Sequence, residues 1–185
     1  NLESTAVKDI HFDLVELCKK GDSKAQFKLY NLYKKAMYNI CLRMVNEEDA
    51  AHDVLQESFI SAFKNLEKFE GRSSFGSWIK KIVINKSLSH IKSRAGWENI
   101  NDDFDIPDLD DKNTDDIDLQ VEKIKVAVAK LPDGFRLVFT LYLFEGYDHK
   151  EIAEITGITE STSKTQYMRA KSKLLGILKE MNEHG

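Results

Sequence analysis

The sequence predicts an all-α protein of two helical domains, joined by an acidic, flexible linker. Apolar residues recur at three- and four-residue steps, and no alternating strand pattern occurs in the 185 residues. Proline occurs only twice. The excess of Lys and Arg over Asp and Glu is +4 in residues 1–94, −9 in residues 95–118 and +1 in residues 119–185. We therefore expect domains at 1–94 and 119–185, with the linker between them at 95–118.

The first domain is predicted to contain four helices, at residues 7–19, 23–45, 47–66 and 74–94. Gly21 and Asp22 provide a turn and a cap, Asn46 caps the third helix, and Gly71 is a break. The apolar stripe of the third helix should be buried. It consists of Leu55, Phe59, Ala62 and Leu66.

The other side of the third helix carries acids and an amide. Asp49, Asp53, Gln56 and Glu57 should stay mainly outside when the apolar stripe is buried. Acids near a helix start are usually solvated, and they stabilise the positive end of the helix dipole. A docking face for a basic partner is the alternative that the same charges allow.

A cationic segment, Gly71–Trp97, follows the third helix. It contains six Lys or Arg residues and no acid, so it should attract phosphate in a salt-dependent way. Phe69, Phe75 and Trp78 cluster near the loop before its helix. Packing in a core is the commoner role of such aromatic side chains, and supporting or stacking unpaired bases is the alternative.

The segment Asn99–Asp116 is dominated by acids. Self-repulsion among its carboxylates and its poor helix formers favour an extended chain. We expect a linker, and its charge alone is as consistent with a plain tether as with a functional segment.

The stretch Asp148–Lys173 is typical of a helix-turn-helix. Asp148 and Glu151 have the spacing of a capping box, Gly157 ends the first helix in a left-handed conformation, and Thr159 suits the start of the second. The inward stripe of the second helix is predicted as Ser163, Tyr167, Ala170 and Leu174. Its opposite face mixes short polar side chains with cations, as a reader of the DNA major groove would. A solvated surface is the alternative.

Several classes of protein are disfavoured by the composition. The longest apolar run, Leu137–Phe144, is too short to cross a bilayer, so membrane insertion is not expected. Cys18 and Cys41 lie in apolar helical patterns and suit buried, reduced thiols of a cytoplasmic protein. The histidines lack ligand spacing, and there is no Gly-rich phosphate loop or nucleophile–base set. We expect no metal, no cofactor and no enzymatic activity.

Two parts of the chain resemble a known family. The segments Asp49–Phe63 and Phe69–Lys86 are similar to the second conserved region of bacterial sigma factors of the extracytoplasmic-function (ECF) group. Leu131–Phe139, with the downstream Glu151-Ile-Ala, Gly157 and Arg169-Ala-Lys, is similar to the fourth. The resemblance covers nearly the whole chain, in the family's order and with a linker between the two regions.

The resemblance implies a specificity subunit that binds core RNA polymerase, places it at promoters and helps to melt the DNA. Its partners would be core polymerase, promoter DNA and an anti-sigma factor. The promoter DNA would be bound as duplex at the −35 element and as melted strands at the −10 element. The implied polymerase-binding residues are Asp49, Asp53, Gln56 and Glu57. The implied −10 residues are Arg72, Ser73, Lys80, Lys81, Asn85 and Lys86. The implied −35 residues are Ser161, Thr162, Lys164, Thr165, Gln166 and Arg169.

The chain departs from the family's pattern in the recognition helix. Ser163 stands where valine is common in the inward stripe, and Gln166 stands where arginine is frequent. Gln166 is therefore expected on the outward face, with one cation fewer than the family's pattern. The rival interpretation of the whole chain is a stand-alone helix-turn-helix regulator with an N-terminal sensing or dimerisation domain.

Overall fold

The computed structural model describes residues 10–94 and 118–183, and these two ranges contain helices and turns but no strand. The all-α prediction is confirmed. The chain divides into two compact units, and the boundary lies between His90 and Ile91, near the end of the fourth helix. Most of the predicted linker, residues 95–117, lies outside the described ranges, as do residues 1–9 of the first domain.

The first unit is built on four α-helices, close to the predicted spans. They are α1 (Phe12–Lys19), α2 (Ser23–Val45), α3 (Glu48–Lys64) and α4 (Phe75–Ser93). The first helix starts later than residue 7, because Ile10 and His11 form a turn. The third ends before Leu66, which begins a short 3₁₀ turn, Leu66–Lys68.

Asn46 caps a different helix from the one expected. Its backbone is left-handed, with φ 57°, and its N–H donates to the Leu42 carbonyl at 2.9 Å. It therefore closes α2, while the extended Glu47 precedes α3. Asparagine tolerates the left-handed conformation that a helix end often needs, which explains the correction. The predicted cap at Asp22 is present, since its carboxylate accepts from the N–H groups of Lys24 and Ala25.

The predicted stripe of α3 and its extension is buried against the rest of the first unit. Leu55, Phe59, Ala62 and Leu66 are each at most 4% exposed. The aromatic cluster also packs inward, with Phe69 and Phe75 buried and their ring centroids 5.9 Å apart. Trp78 is half-buried beside them, 5.4 Å from Phe69. A packing role is thus visible for all three rings.

The described part of the second unit contains four further α-helices and one wider turn. They are α5 (Asp118–Ala129), α6 (Asp133–Phe139), a π-helical turn (Thr140–Phe144), α7 (His149–Thr156) and α8 (Glu160–Glu183). Its core joins α5, α6 and α8. The buried members are Ala127, Val128, Leu131, Phe135, Phe139, Ala170 and Leu174.

An ion pair made by a buried arginine fixes the start of α6. The Arg136 side chain is 3% exposed, pairs with Asp133 in the first turn of the helix and donates to the Leu131 carbonyl at 2.7 Å. Both partners lie within five residues, so the guanidinium closes the α5–α6 connection locally. A charge at this depth needs such partners to offset its lost hydration.

The apolar run Leu137–Phe144 serves the fold of the second unit. Its first five residues are buried, and Leu143 is exposed on the π-helical turn. No helix within the described ranges is both long enough and apolar enough to cross a membrane.

Both cysteines should resist thiol reagents in the folded protein. Cys41 is fully buried, and burial raises the pKa of its thiol to about 11. Burial also raises the pKa of Cys18. The reactive thiolate is therefore scarce and shielded near neutral pH. We expect an aromatic disulfide reagent to label both residues only in denaturant, with Cys18→Ser and Cys41→Ser assigning the signals. Fast labelling of Cys41 in the native protein would contradict the packing of α2.

Candidate functional site

The exposed side of α3 forms the first candidate surface. Asp49, Asp53, Gln56 and Glu57 are all exposed, at steps that keep them on one side of the helix. Burial of the opposite stripe sets this orientation. We call these four residues the acidic face. The structure brings them together as the sequence predicted, accessible to a partner.

His52 is a member of this side that sequence reasoning missed. Its exposed ring stacks on Tyr38 of α2, with ring centroids 4.5 Å apart and planes 28° apart. The first half of the acidic face is thereby tied to α2. A histidine three positions after Asp49 and four before Gln56 was the signal available in the sequence.

The second candidate surface begins in the loop before α4. Gly71 adopts φ 69°, which turns the chain. Arg72 and Ser73 are both exposed, and the Arg72 Nε lies 2.7 Å from a Glu70 carboxylate oxygen at the surface. The Ser74 hydroxyl accepts from the Ser77 N–H at 3.1 Å and so starts α4. The loop thus presents a cation and a hydroxyl directly before the helix.

The predicted residues of α4 spread over a broad side of the helix. Lys81 and Asn85 lie one turn apart and are exposed. Lys80 and Lys86 flank them and are half-buried. With about 100° between successive residues, the two flanking lysines point in clearly different directions. We call Arg72, Ser73, Lys80, Lys81, Asn85 and Lys86 the basic surface. It can attract a polyanion, and it is not one flat face.

The third candidate surface lies on the predicted helix-turn-helix, whose caps are as expected. The Asp148 carboxylate accepts from the Glu151 N–H at 2.8 Å, and the Glu151 carboxylate accepts from the Asp148 N–H at 2.8 Å. Gly157 closes α7 with φ 80°. The Thr159 hydroxyl accepts from the Thr162 N–H at 3.0 Å and begins α8. These caps fix the turn between the two helices.

The start of α8 exposes short polar and cationic side chains. Ser161, Lys164 and Thr165 are exposed, while Thr162 and Arg169 are half-buried. The Lys164 ammonium lies 2.6 Å from a Glu160 carboxylate oxygen, which lowers the pKa of that glutamate. We call these five residues the recognition face.

Gln166 does not belong to the recognition face. Its side chain is 2% exposed, so the expectation that it faces outward is wrong. Position 166 lies three residues after Ser163 and four before Ala170, and both of those residues are fully buried. The inward stripe is therefore one residue wider than the sequence pattern indicated. Glutamine can occupy this position because the methylene groups of its side chain are apolar. The amide of Gln166 is not presented to solvent.

Sequence reasoning also missed a side-chain contact between the two helices of the motif. His149 Nδ1 lies 2.9 Å from the hydroxyl of Ser163. The predicted inward position of Ser163 is confirmed, since the residue is fully buried. A hydroxyl at an otherwise apolar stripe position was the available signal.

Within the described ranges, no group of three or more His, Cys, Asp or Glu side chains could hold a metal ion. The three surfaces are made of charged, hydroxyl and amide side chains, most of them exposed, on helices and one loop. Such arrangements suit macromolecular contacts.

Comparisons with known proteins match both units. The family model described as sigma-70 region 2 matches residues 29–96, and the model described as sigma-70, region 4 matches residues 122–174. Together they match more than half of the chain. The ECF RNA polymerase sigma factor SigW of Bacillus subtilis is 28% identical over 180 residues, covering 90% of this chain and 96% of that protein. The chain belongs to the ECF group of the sigma-70 family.

Other sigma factors are also similar to most of this chain. The ECF RNA polymerase sigma-E factor of Haemophilus influenzae is 27% identical to this sigma factor over 173 residues, covering 87% of this chain and 91% of that protein. A solved structure of the sigma factor RpoE with the anti-sigma factor NepR from Bartonella quintana has a TM-score of 0.56 at 22% identity. It covers 82% of this chain and 95% of that one and shares the fold.

Removal of the Asp148 cap should loosen α7. Asp148→Ala leaves the Glu151 N–H without its acceptor, and loss of an N-cap costs about 1 kcal/mol. We expect the amides of the first turn of α7 to exchange with solvent deuterons roughly fivefold faster. Glu154→Ala, at an exposed position of the same helix, is the matched control. Equal exchange in both variants would contradict the role of the capping box.

Proposed function

We propose that this sigma factor binds core RNA polymerase through the acidic face, holds the melted −10 element on the basic surface and reads the −35 element as duplex with the recognition face. The observation that supports this most directly is the order of the parts. An acidic helix face and an acid-free cationic segment lie in the unit matched by region 2, and a capped helix-turn-helix lies in the unit matched by region 4. The protein acts in the cytoplasm and catalyses nothing itself.

The acidic face suits a basic protein surface. Its four side chains are exposed, and the buried stripe opposite keeps them oriented before binding. Complementary charges at the edge of an interface raise the association rate and select the partner. Burial of Leu55 and Phe59 beneath them supplies a rigid support.

The basic surface suits an opened DNA strand. Arg72 and Ser73 extend from the loop into solvent, and Lys81 and Asn85 continue from the helix. Cations and amides contact phosphates and base edges without needing a duplex groove. Phe69 and Phe75 lie buried beneath the loop, where they support it, and the half-buried Trp78 has a ring partly open to solvent.

The recognition face suits the major groove. Ser161, Lys164 and Thr165 are exposed in the first turns of α8, the part of a recognition helix that enters the groove. The Thr162 hydroxyl is partly occupied by a hydrogen bond with the Thr159 hydroxyl at 2.8 Å. Arg169 follows one turn later and suits a phosphate or base contact from the edge of the face. Gln166, which is buried, has no place in this proposal.

An anti-sigma factor is the proposed regulator. RpoE, which has the same fold, was solved in complex with the anti-sigma factor NepR. A partner of that kind would block the same surfaces that polymerase and promoter need.

Transcription by core polymerase with and without this protein tests the proposed function. We expect promoter-specific initiation only when both are present. The proposal fails if no candidate promoter responds and the isolated protein instead binds an operator tightly as a dimer, which is the behaviour of a stand-alone regulator.

Charge reversal on the acidic face should weaken binding to core polymerase. Asp53→Lys combined with Glu57→Lys replaces attraction by repulsion, and we expect affinity to fall by about tenfold or more. Glu180→Lys with Glu183→Lys, at exposed positions near the end of α8, makes the same change in net charge elsewhere. Binding is measured by titration of labelled protein with core polymerase, and helical content by circular dichroism. Equal affinities for the two double variants would count against this surface.

Neutralising the basic surface should lower the salt dependence of promoter-complex formation. Each phosphate contact of a single strand contributes about 0.7 to the slope of log affinity against log salt. We expect Arg72→Gln and Lys81→Gln each to reduce the slope by roughly that amount. Lys179→Gln, exposed on the last part of α8, is the control. An unchanged slope in both test variants would remove this surface from the DNA interface.

A further inference from the structure

The first turns of α7 and α8 are joined by a hydrogen bond between side chains. Nδ1 of His149 lies 2.9 Å from Oγ of Ser163. His149 directly follows the capping residue Asp148, and Ser163 follows the N-cap Thr159 by four positions. The bond therefore connects the capped ends of the two helices of the motif.

The Ser163 hydroxyl differs from the buried hydroxyls of Ser58 and Thr156 in the direction of its bond. Ser58 and Thr156 each donate to the carbonyl four residues earlier in their own helix, at 2.6 Å. Such bonds satisfy the hydroxyl locally and fix nothing between helices. Ser163 is equally buried, but its bond to His149 crosses to the neighbouring helix.

The imidazole is held in place by two other rings. It stacks on Tyr142 of the π-helical turn, with centroids 4.6 Å apart and planes 14° apart. Tyr167 of α8 meets it edge-on at 5.8 Å and also contacts Tyr142 at 4.5 Å. The ring is therefore oriented by packing as well as by its bond to Ser163.

This bond constrains a motion that apolar burial leaves open. Ala170 and Leu174 are buried on the inner side of α8. Hydrophobic contact is non-directional, so it permits a helix to turn slightly about its axis. A hydrogen bond prefers a narrow range of distance and angle. Ser163 lies between Thr162 and Lys164, so fixing its hydroxyl fixes the direction in which the recognition face points.

We propose that His149 and Ser163 are positioning residues for promoter specificity, because their hydrogen bond sets the rotation of α8 about its axis. This inference rests on the proposed function of the recognition face in reading the −35 element. In this inference neither residue needs to touch DNA. Their effect reaches the bases through the orientation of Ser161, Lys164 and Thr165.

The test uses the full chain assembled with core polymerase. Initiation is measured on a promoter that this sigma factor uses and on the same promoter with its −35 element scrambled. The ratio of the two rates is the −35 discrimination. Helical content and thermal unfolding of each variant are recorded by circular dichroism.

Three variants isolate the bond. Ser163→Ala removes the hydroxyl, His149→Phe keeps an aromatic ring without the nitrogen, and the double variant removes both partners. We expect each single variant to lose discrimination by about fivefold, the effect of one hydrogen bond of ordinary strength. The double variant should lose no more than either single variant, because both changes break the same bond. Ser163→Thr retains the hydroxyl and should retain discrimination. If it unfolds, the other three variants decide the question.

Lys164→Ala separates this inference from the proposed function. If it lowers discrimination while the His149 and Ser163 variants, still folded, leave it unchanged, the positioning inference is overturned and the recognition face stands. If Lys164→Ala also leaves discrimination unchanged, the proposed −35 role fails, and the inference fails with it. Discrimination that falls only near the unfolding temperature and returns on cooling shows a packing role alone, which also overturns the inference.

Discussion

Burial of an apolar stripe decides which side of each helix faces inward, and the helical part of each candidate surface lies on the side that remains outside. On α3 the buried stripe that includes Leu55 and Phe59 leaves the acidic face exposed. On α8 burial of Ala170 and Leu174 leaves Lys164 and Thr165 exposed. The caps then set where each helix begins. The proposed function depends on this constraint, because in it the surfaces act by presenting charges and hydroxyls to large partners.

The charges of the chain are distributed unevenly between its parts. The net charge of −4 is unusual for a protein that contacts DNA. Ten of the 31 acids, however, lie in residues 95–118, and the basic surface lies in an acid-free segment. A sigma factor that obtains much of its promoter affinity from polymerase does not need a strongly basic surface everywhere. Local charge of both signs suits the two contacts proposed above, one with a basic protein surface and one with DNA.

Periodicity and caps made much of the fold predictable. Local sequence patterns predicted the spans of α2 and α4, the capping box at Asp148 and the left-handed Gly157. Exposure of the acidic face followed from the apolar stripe opposite. These features depend on residues within one or two turns of each other.

The features that sequence reasoning did not capture depend on tertiary contacts. Gln166 has the polarity of a surface residue, and its burial is decided by its position between Ser163 and Ala170 on the packed side of α8. The π-helical turn brings Tyr142 against His149, which no local pattern indicated. The identity of the polymerase and promoter contacts remains a proposal drawn from exposure, charge and family.

As a subunit of polymerase, this protein is expected to open promoters. Permanganate reactivity of thymines in the −10 element measures strand opening most directly. We predict reactive thymines only when core polymerase and this protein are present together, and loss of that reactivity when Arg72 and Lys81 are both replaced by glutamine. Thymines that stay unreactive in the complete mixture, while the protein alone protects a duplex operator, would contradict the account.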